Sequence, residues 1–195
     1  MGSTLKVDNI VGTSGTSAPI TLSGDTATLG SGATLGSAVT FPAGHVHKVT
    51  HDTTVETNTL TNSFVNYHEL SFTLTSSSSD LFFIFTYEAH TGGANEGHGL
   101  RVYRNSSATV TTSHTLVHNV NATNNSGAES MTGYGAGLYS FYTHNFKDSL
   151  SGFSAGDTLY YGFFFRRRST NQTVKVPPDE EQDGAFHTTI TEVQK

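Results

Sequence analysis

Two histidines separated by one residue form the sharpest chemical motif in this chain of 195 residues. His45 and His47 flank a valine, and side chains at positions i and i+2 of an extended strand project from the same face. If three copies of the strand lay around a threefold axis, two imidazoles from each copy would suit a divalent transition metal. The motif therefore predicts an axial metal site in a trimer, and the alternative is a pair of surface histidines. The other histidines are scattered, and we expect most of them to be polar groups of the surface or of an interface.

A second motif matches the nucleophile elbow of serine hydrolases. Residues Gly152–Gly156 fit the pattern G-x-S-x-G. An acidic member of a triad follows at Asp157, Asp179 or Asp183, and a histidine follows at His187. This is the order found in hydrolases. An elbow needs a strand before the serine and a helix after it, whereas the residues that follow this motif read as a strand. We therefore predict that the protein is not an enzyme.

The composition excludes several classes of partner. Charged residues make up 13% of the chain and its net charge is −6, so we expect no basic face for nucleic acid. The chain has no cysteine, which excludes disulfides and thiolate metal sites. No apolar run approaches the roughly 20 residues that span a bilayer, and the start of the chain lacks the apolar region of a signal peptide. We expect no membrane insertion, and no cofactor besides the axial metal.

The composition changes near residue 44. The only aromatic residue before this point is Phe41, and all 10 histidines follow it. Large apolar residues recur in the first part at steps of 7, 6 and 6 residues, at Leu22, Leu29, Leu35 and Phe41. One such side chain per repeat is too little for a core of its own, so these anchors need other repeats or other chains. The pattern predicts an extended β shaft in a fibre of several chains.

The second part has the pattern of an all-β domain. Helical spacing of apolar residues is absent, and short alternating or continuous apolar runs are separated by polar turns. About eight such strands predict a β-sandwich, for which a jelly roll is the natural version. The predicted strands lie at residues 64–74, 81–87, 99–103, 109–120, 137–146, 158–166, 173–176 and 186–193.

Two of the predicted strands are apolar on both faces. Leu81–Phe85 and Phe163–Phe165 lack the alternation expected of a strand with one solvated face. Either loops of the same chain cover the second face, or a neighbouring subunit does. We favour a neighbouring subunit, because the sparse apolar residues of the repeat in the first part also need other chains to bury them.

Two polar, glycine-rich stretches at residues 92–99 and 119–127 are predicted to be loops. Loops on a rigid β scaffold are frequent sites of recognition. Tyr134, Tyr139 and Tyr142 lie nearby in the sequence, and they either stack on sugar rings or belong to the core.

Several segments match one family in their order along the chain. They are STLKVDNI (Ser3–Ile10), GSAVTFPAGHV (Gly36–Val46), Ser63–Phe85, Gly99–Val110, Ser154–Phe165 and Thr188–Gln194. In these segments the chain resembles the short tail fibre proteins of marine tailed phages that infect cyanobacteria and pelagic bacteria. The later segments are also similar to a TNF-like, complement-type jelly-roll head, which assembles as a trimer.

The resemblance implies an all-β, homotrimeric fibre, located in the tail of the extracellular virion. It implies a docking segment at residues 1–10 that binds other virion proteins, a repetitive β shaft at 11–44 and a jelly-roll head at 45–195. The head would bind a glycan or protein of the host surface. Two alternatives stay open: a purely structural head fibre, decoration or adaptor protein of the virion, and a polysaccharide-cleaving spike.

Overall fold

The computed structural model describes residues 9–10, 20–23, 26–29, 43–55, 58–91, 97–120, 138–167, 173–177 and 184–195. Contacts divide the chain into two units, Met1–Phe41 and Pro42–Lys195. Every regular element among the described residues is a β-strand. No helix in this part of the chain is long and apolar enough to cross a membrane.

The first unit contains a small antiparallel sheet. Its strands, in sheet order, are β1 (Asn9–Ile10), β2 (Ile20–Ser23) and β3 (Thr26–Leu29). Leu22 and Leu29 of the repeat therefore lie in neighbouring strands, whereas Leu35 and Phe41 lie outside the described residues. The assignments of a docking segment and a shaft stay predictions.

The second unit is an antiparallel β-sandwich, which confirms the all-β sandwich expected from the sequence. Its strands are β4 (Val46–Thr54), β5 (Val65–Thr73), β6 (Ser79–Thr91), β7 (His98–Asn105), β8 (Thr115–Val120), β9 (Leu138–Ser149), β10 (Thr158–Arg167), β11 (Val174–Lys175) and β12 (Phe186–Gln194). One sheet has the order β5-β10-β7-β8. The other has the order β4-β12-β6-β9, and the short β11 pairs with the end of β6.

The long strands of the sandwich pair as one folded hairpin. The first pairs with the last (β4 with β12), and the pairs β5–β10, β6–β9 and β7–β8 are nested inside it. Pairing of β12 with β6 and of β10 with β7 joins these pairs into two sheets. This nested order is that of a jelly roll.

Alternation along β6 places one row of side chains in the core. Phe83, Phe85 and Tyr87 are buried on this face. The ring centroid of Phe85 lies 4.3 Å from that of Phe163, and the centroid of Phe83 lies 4.8 Å from that of Tyr161. Both partners belong to β10 in the opposite sheet, so the rings join the two layers. Burial of each large apolar side chain contributes roughly 1.5–3 kcal/mol, which makes this row a main source of stability.

Phe164 corrects one of the two expectations about strands that are apolar on both faces. This side chain points away from the main core, yet it is only 5% exposed. Tyr103 packs against its ring edge to face at a centroid distance of 5.2 Å, and Val110 joins the same apolar cluster. Because Val110 belongs to the turn between β7 and β8, the chain covers this face itself. The prediction that a neighbouring subunit covers Phe163–Phe165 is wrong.

The three longest connections of the sandwich join strand ends that lie at one end, which we call the loop end. They span residues 55–64, 121–137 and 168–185, the last of which includes β11, and the shorter connection at 92–97 joins β6 to β7 at the same end. At the opposite end β4 begins, and the short turns at residues 74–78, 106–114 and 150–157 connect the strands. Backbone hydrogen bonds tie this second end together, from Gly156 N to Leu74 O and from Lys195 N to Ser78 O, each 2.9 Å long.

Candidate functional site

The outer face of the β4-β12-β6-β9 sheet carries an exposed apolar strip formed by Phe82 and Ile84. Phe141 is exposed on the same face but pairs with Glu88, four residues along β6 from Ile84. Phe82 and Ile84 on β6 are 43% and 51% exposed, and Phe141 on β9 is 77% exposed. Thr191 pairs with Phe82 and Thr189 with Ile84, so small side chains border the strip on the β12 side. This is the second strand predicted to be apolar on both faces. Unlike Phe164, its outer side chains are open to solvent in the single chain.

A group of charged side chains lies beside this strip. The Lys147 ammonium lies 5.6 Å from the centroid of Phe82, and it forms an ion pair of 2.6 Å with Oδ2 of Asp80. The Lys195 ammonium shares the same carboxylate at 3.1 Å, so Asp80 pairs with two lysines. Val49 on β4 is 59% exposed and adds apolar surface to the same face. An exposed apolar patch bordered by threonines is typical of a surface that binds protein.

The predicted metal ligands lie at the start of β4. The rings of His45 and His47 meet edge to face with centroids 5.4 Å apart, and His47 Nε2 lies 2.7 Å from Oε1 of Gln194. A register shift opposite Glu192 and Val193 makes His47 the extra residue of a β-bulge. Among the described residues of the single chain, no three His, Cys, Asp or Glu side chains are placed to hold a metal ion. The axial site requires several chains and stays a prediction.

The serine motif forms a turn that leads into β10. Gly152 and Gly156 adopt φ angles of 78° and 92°, and the Ser154 amide donates a hydrogen bond of 2.8 Å to Oδ2 of Asp157. This turn lies at the end opposite the loop end, whereas His187 lies near the loop end at the start of β12. The structure therefore does not bring the serine and the histidine together. The remaining motif residues, Asp179 and Asp183, lie outside the described residues.

A buried histidine cluster lies beneath the loop end, and the sequence analysis missed it. The Tyr87 hydroxyl oxygen lies 2.8 Å from Nε2 of His98 and 3.3 Å from Nε2 of His144. The His118 ring lies 5.5 Å from that of His144, and the Tyr142 ring lies 5.0 Å from that of His98. Tyr142 thus belongs to the border of the core, whereas the placements of the Tyr134 and Tyr139 side chains lie outside the description.

Burial keeps this cluster uncharged at neutral pH. Burial, with a smaller effect of the nearby His144, lowers the pKa of His98 to about 3. Burial and then the neighbouring His118 lower the pKa of His144 to about 4, and burial also lowers the pKa of His118. The cluster is therefore a polar connection between the sheets that protonation would disrupt, because a buried cation is costly.

Strand alternation is the signal that would have located this cluster. His98 has the same parity along β7 as the buried Leu100 and Val102, and His144 has the same parity along β9 as Tyr142 and Phe146. Both histidines therefore point inwards by the ordinary period of a strand.

Comparisons with known proteins give a distant structural likeness. No protein-family model and no curated protein matches the chain. Among solved structures, the chain is similar to one in the structure of infectious bursal disease virus Gx strain, with a TM-score of 0.42 and 10% sequence identity. The match covers 76% of this chain and 33% of that chain, so this chain spans about a third of the other's length. The fold assignment rests on the strand order rather than on this likeness.

Proposed function

We propose that this protein is a structural protein of a tailed-phage virion, a homotrimeric fibre whose TNF-like head attaches to the host cell surface. The observation that carries the proposal is the exposed apolar strip of Phe82 and Ile84 on one sheet of the head. It is a surface that the single chain leaves open. It adds a structural reason for assembly to the sparse apolar repeat of the first unit.

The apolar strip favours association because covering it removes large side chains from water. Each square ångström of apolar surface that is covered contributes about 25 cal/mol, against the cost of immobilising the partners. A second copy of the same chain is always present at the same concentration, which makes it the simplest occupant. Closed symmetric assembly then limits the number of copies, and the fibre resemblance favours three.

The arrangement of the loops supports attachment as the role of the head. The three longest connections join strands at the loop end, and the chain enters the head at the opposite end, where β4 begins. A trimer would present three sets of these loops in one direction. Three weak contacts with a glycan or protein of the host would then act together through avidity, so that binding rather than catalysis is the proposed mechanism.

The assembly is tested by light scattering of the purified full chain. We expect the mass of a trimer for the wild type and a smaller mass for Phe82→Asn/Ile84→Asn. Leu116→Asn is the matched control, because Leu116 is 47% exposed on the other sheet and should leave the trimer intact. A monomeric wild type, or a trimeric double variant, would contradict the proposed interface.

Attachment is tested separately on the intact virion. Antibodies against the head should block adsorption to the host if the head binds the receptor. Normal adsorption with the antibody bound would favour a purely structural fibre, decoration or adaptor. Release of reducing sugar from host envelope by the purified trimer would instead favour a polysaccharide-cleaving spike.

A further inference from the structure

Two exposed histidines form a pair on the outer face of the β4-β12-β6-β9 sheet. In the register of β4 and β12, His51 pairs with Thr189 and Thr53 pairs with His187, which makes the two histidines diagonal neighbours. Their rings are stacked, with centroids 6.2 Å apart and planes inclined by 16°. The pair is separate from His45 and His47, which lie at the start of β4.

Both imidazoles are directed at one hydroxyl group. The Thr53 Oγ1 atom lies 3.1 Å from Nε2 of His51 and 3.2 Å from Nδ1 of His187. Because a hydroxyl carries one proton, Thr53 donates to one neutral imidazole and accepts from the other. The other ring nitrogen of His51, Nδ1, lies 3.2 Å from Oγ1 of Thr189, which fixes the ring on its far side. Two ring nitrogens from adjacent strands thus converge on one point at the surface.

We propose that His51 and His187 chelate one divalent transition-metal ion per chain, of the class Cu²⁺, Ni²⁺ or Zn²⁺. Neutral imidazole is a preferred ligand of these ions, and it binds them at about 2.0–2.1 Å. Both side chains are exposed, so small rotations bring the nitrogens from the threonine hydroxyl to a metal without moving the core. Water or the Thr53 hydroxyl completes the coordination.

The sheet holds the two histidines close enough to act as a chelate. The hydrogen-bonded register of β4 and β12 holds the two ligand positions together before any metal binds. Once one imidazole binds the ion, the second binds it as an intramolecular ligand at high effective concentration. Both ligands come from one chain, so the site does not depend on the proposed trimer. Its stoichiometry is one ion per chain, whereas the axial site predicted at His45 and His47 would hold one ion per three chains.

The site is tested by isothermal titration of the untagged full chain with Ni²⁺ and Zn²⁺, with Mg²⁺ as the negative control. We expect Ni²⁺ and Zn²⁺ to bind at one ion per chain or more, the excess being the axial site, and we expect no binding of Mg²⁺. His51→Asn and His187→Asn should each weaken Ni²⁺ binding by about ten-fold or more. The double variant should lose less than the sum of the two single losses, because the first substitution already removes the chelate and the second removes only one remaining ligand.

Matched variants distinguish this site from the predicted axial site and from the proposed assembly interface. His45→Asn/His47→Asn should keep one ion per chain, and Phe82→Asn/Ile84→Asn should keep it even where assembly is lost. Thermal unfolding without metal checks that each variant is folded. Saturation below one ion per chain, additive losses in the double variant, or loss of binding in His45→Asn/His47→Asn alone would overturn the proposal.

Discussion

The hydroxyl of Tyr87 and Nε2 of His98 are joined by a hydrogen bond of 2.8 Å in the interior of the head. Tyr87 belongs to β6 and His98 to β7, so this bond connects the two sheets. Nδ1 of His98 is buried and has no hydrogen-bond partner among the described residues. Protonation of the ring would place a cation in the core, which explains why burial lowers the pKa of His98 to about 3.

The head should therefore lose stability in mild acid. The unfolded chain protonates His98 and His144 near pH 6.5, whereas in the folded chain their pKa values are about 3 and about 4. Stability is thus complete above pH 6.5 and falls as the pH decreases toward 4. The slope is about 1.4 kcal/mol per pH unit for each histidine. Urea unfolding between pH 7.5 and pH 4 measures it.

The control for this prediction is His98→Gln, which keeps a polar side chain beside Tyr87 and removes the titration. We expect a lower free energy of unfolding at pH 7.5 but a shallower dependence on pH. An unchanged slope in His98→Gln would show that His98 is not the source of the acid sensitivity.

Glu192→Gln should destabilise the head by about 3 kcal/mol. The Glu192 carboxylate is completely buried, and it accepts hydrogen bonds from the amides of Thr75 and Ser76 and from the hydroxyl of Ser79 at 2.9–3.1 Å. In Glu192→Gln, the side-chain NH₂ group would replace one carboxylate oxygen and would face the N–H and O–H groups that now donate to it. Glu69→Gln is the matched control, because this exposed carboxylate also accepts from backbone amides and should cost about 1 kcal/mol or less. Equal losses in the free energy of unfolding for Glu192→Gln and Glu69→Gln, measured with denaturant, would refute the distinction between the buried and the exposed carboxylate.

Leu159→Ala and Leu116→Ala should lower the free energy of unfolding by very different amounts, although the chemical change is the same. Leu159 on β10 is completely buried, and its truncation should cost about 2–5 kcal/mol through lost burial and a cavity. Leu116 on β8 is 47% exposed, so its truncation should cost about 0.5 kcal/mol. The shift in the midpoint of thermal unfolding compares the two, and similar shifts would contradict the assignment of inner and outer faces.

Two glycines should show opposite preferences between alanine and asparagine. A Cβ on Gly162 would lie 2.8 Å from the Phe164 ring and 2.9 Å from Cβ of Val110, so alanine is costly and the larger asparagine costs more. Gly152 has open space and a φ of 78°, a conformation that asparagine adopts more readily than alanine. The stability order of the four variants is the measurement. The same order at both positions would refute the crowding at Gly162.

Much of the sandwich could be predicted because its strands alternate or are strongly apolar. The pattern located β5, β6, β9, β10 and β12 to within a few residues. It missed most of β4, whose inward side carries polar residues such as Lys48 and Thr50. It also placed the start of β8 at Thr109, where the backbone instead turns with a φ of 69° so that Val110 can cover Phe164.

The candidate sites were harder to predict because they depend on register. His51 and His187 belong to the first and last strands of the sandwich, and only their pairing makes them neighbours. The bulge at His47 sets that pairing, and no local sequence pattern predicts the bulge. Phe82 and Ile84 were correctly marked as unusual, but sequence alone could not separate them from Phe164.

The nested pairing of the strands also constrains when the head can fold. β12 is the last strand in the chain, yet it lies between β4 and β6 in its sheet. During synthesis on the ribosome, β4 emerges first and has no neighbour until β12 follows it. Contacts between such distant segments form slowly. Closure of this sheet must therefore follow synthesis of the whole head, and a stalled or truncated chain would expose the edges of two strands that no nearby segment can cover.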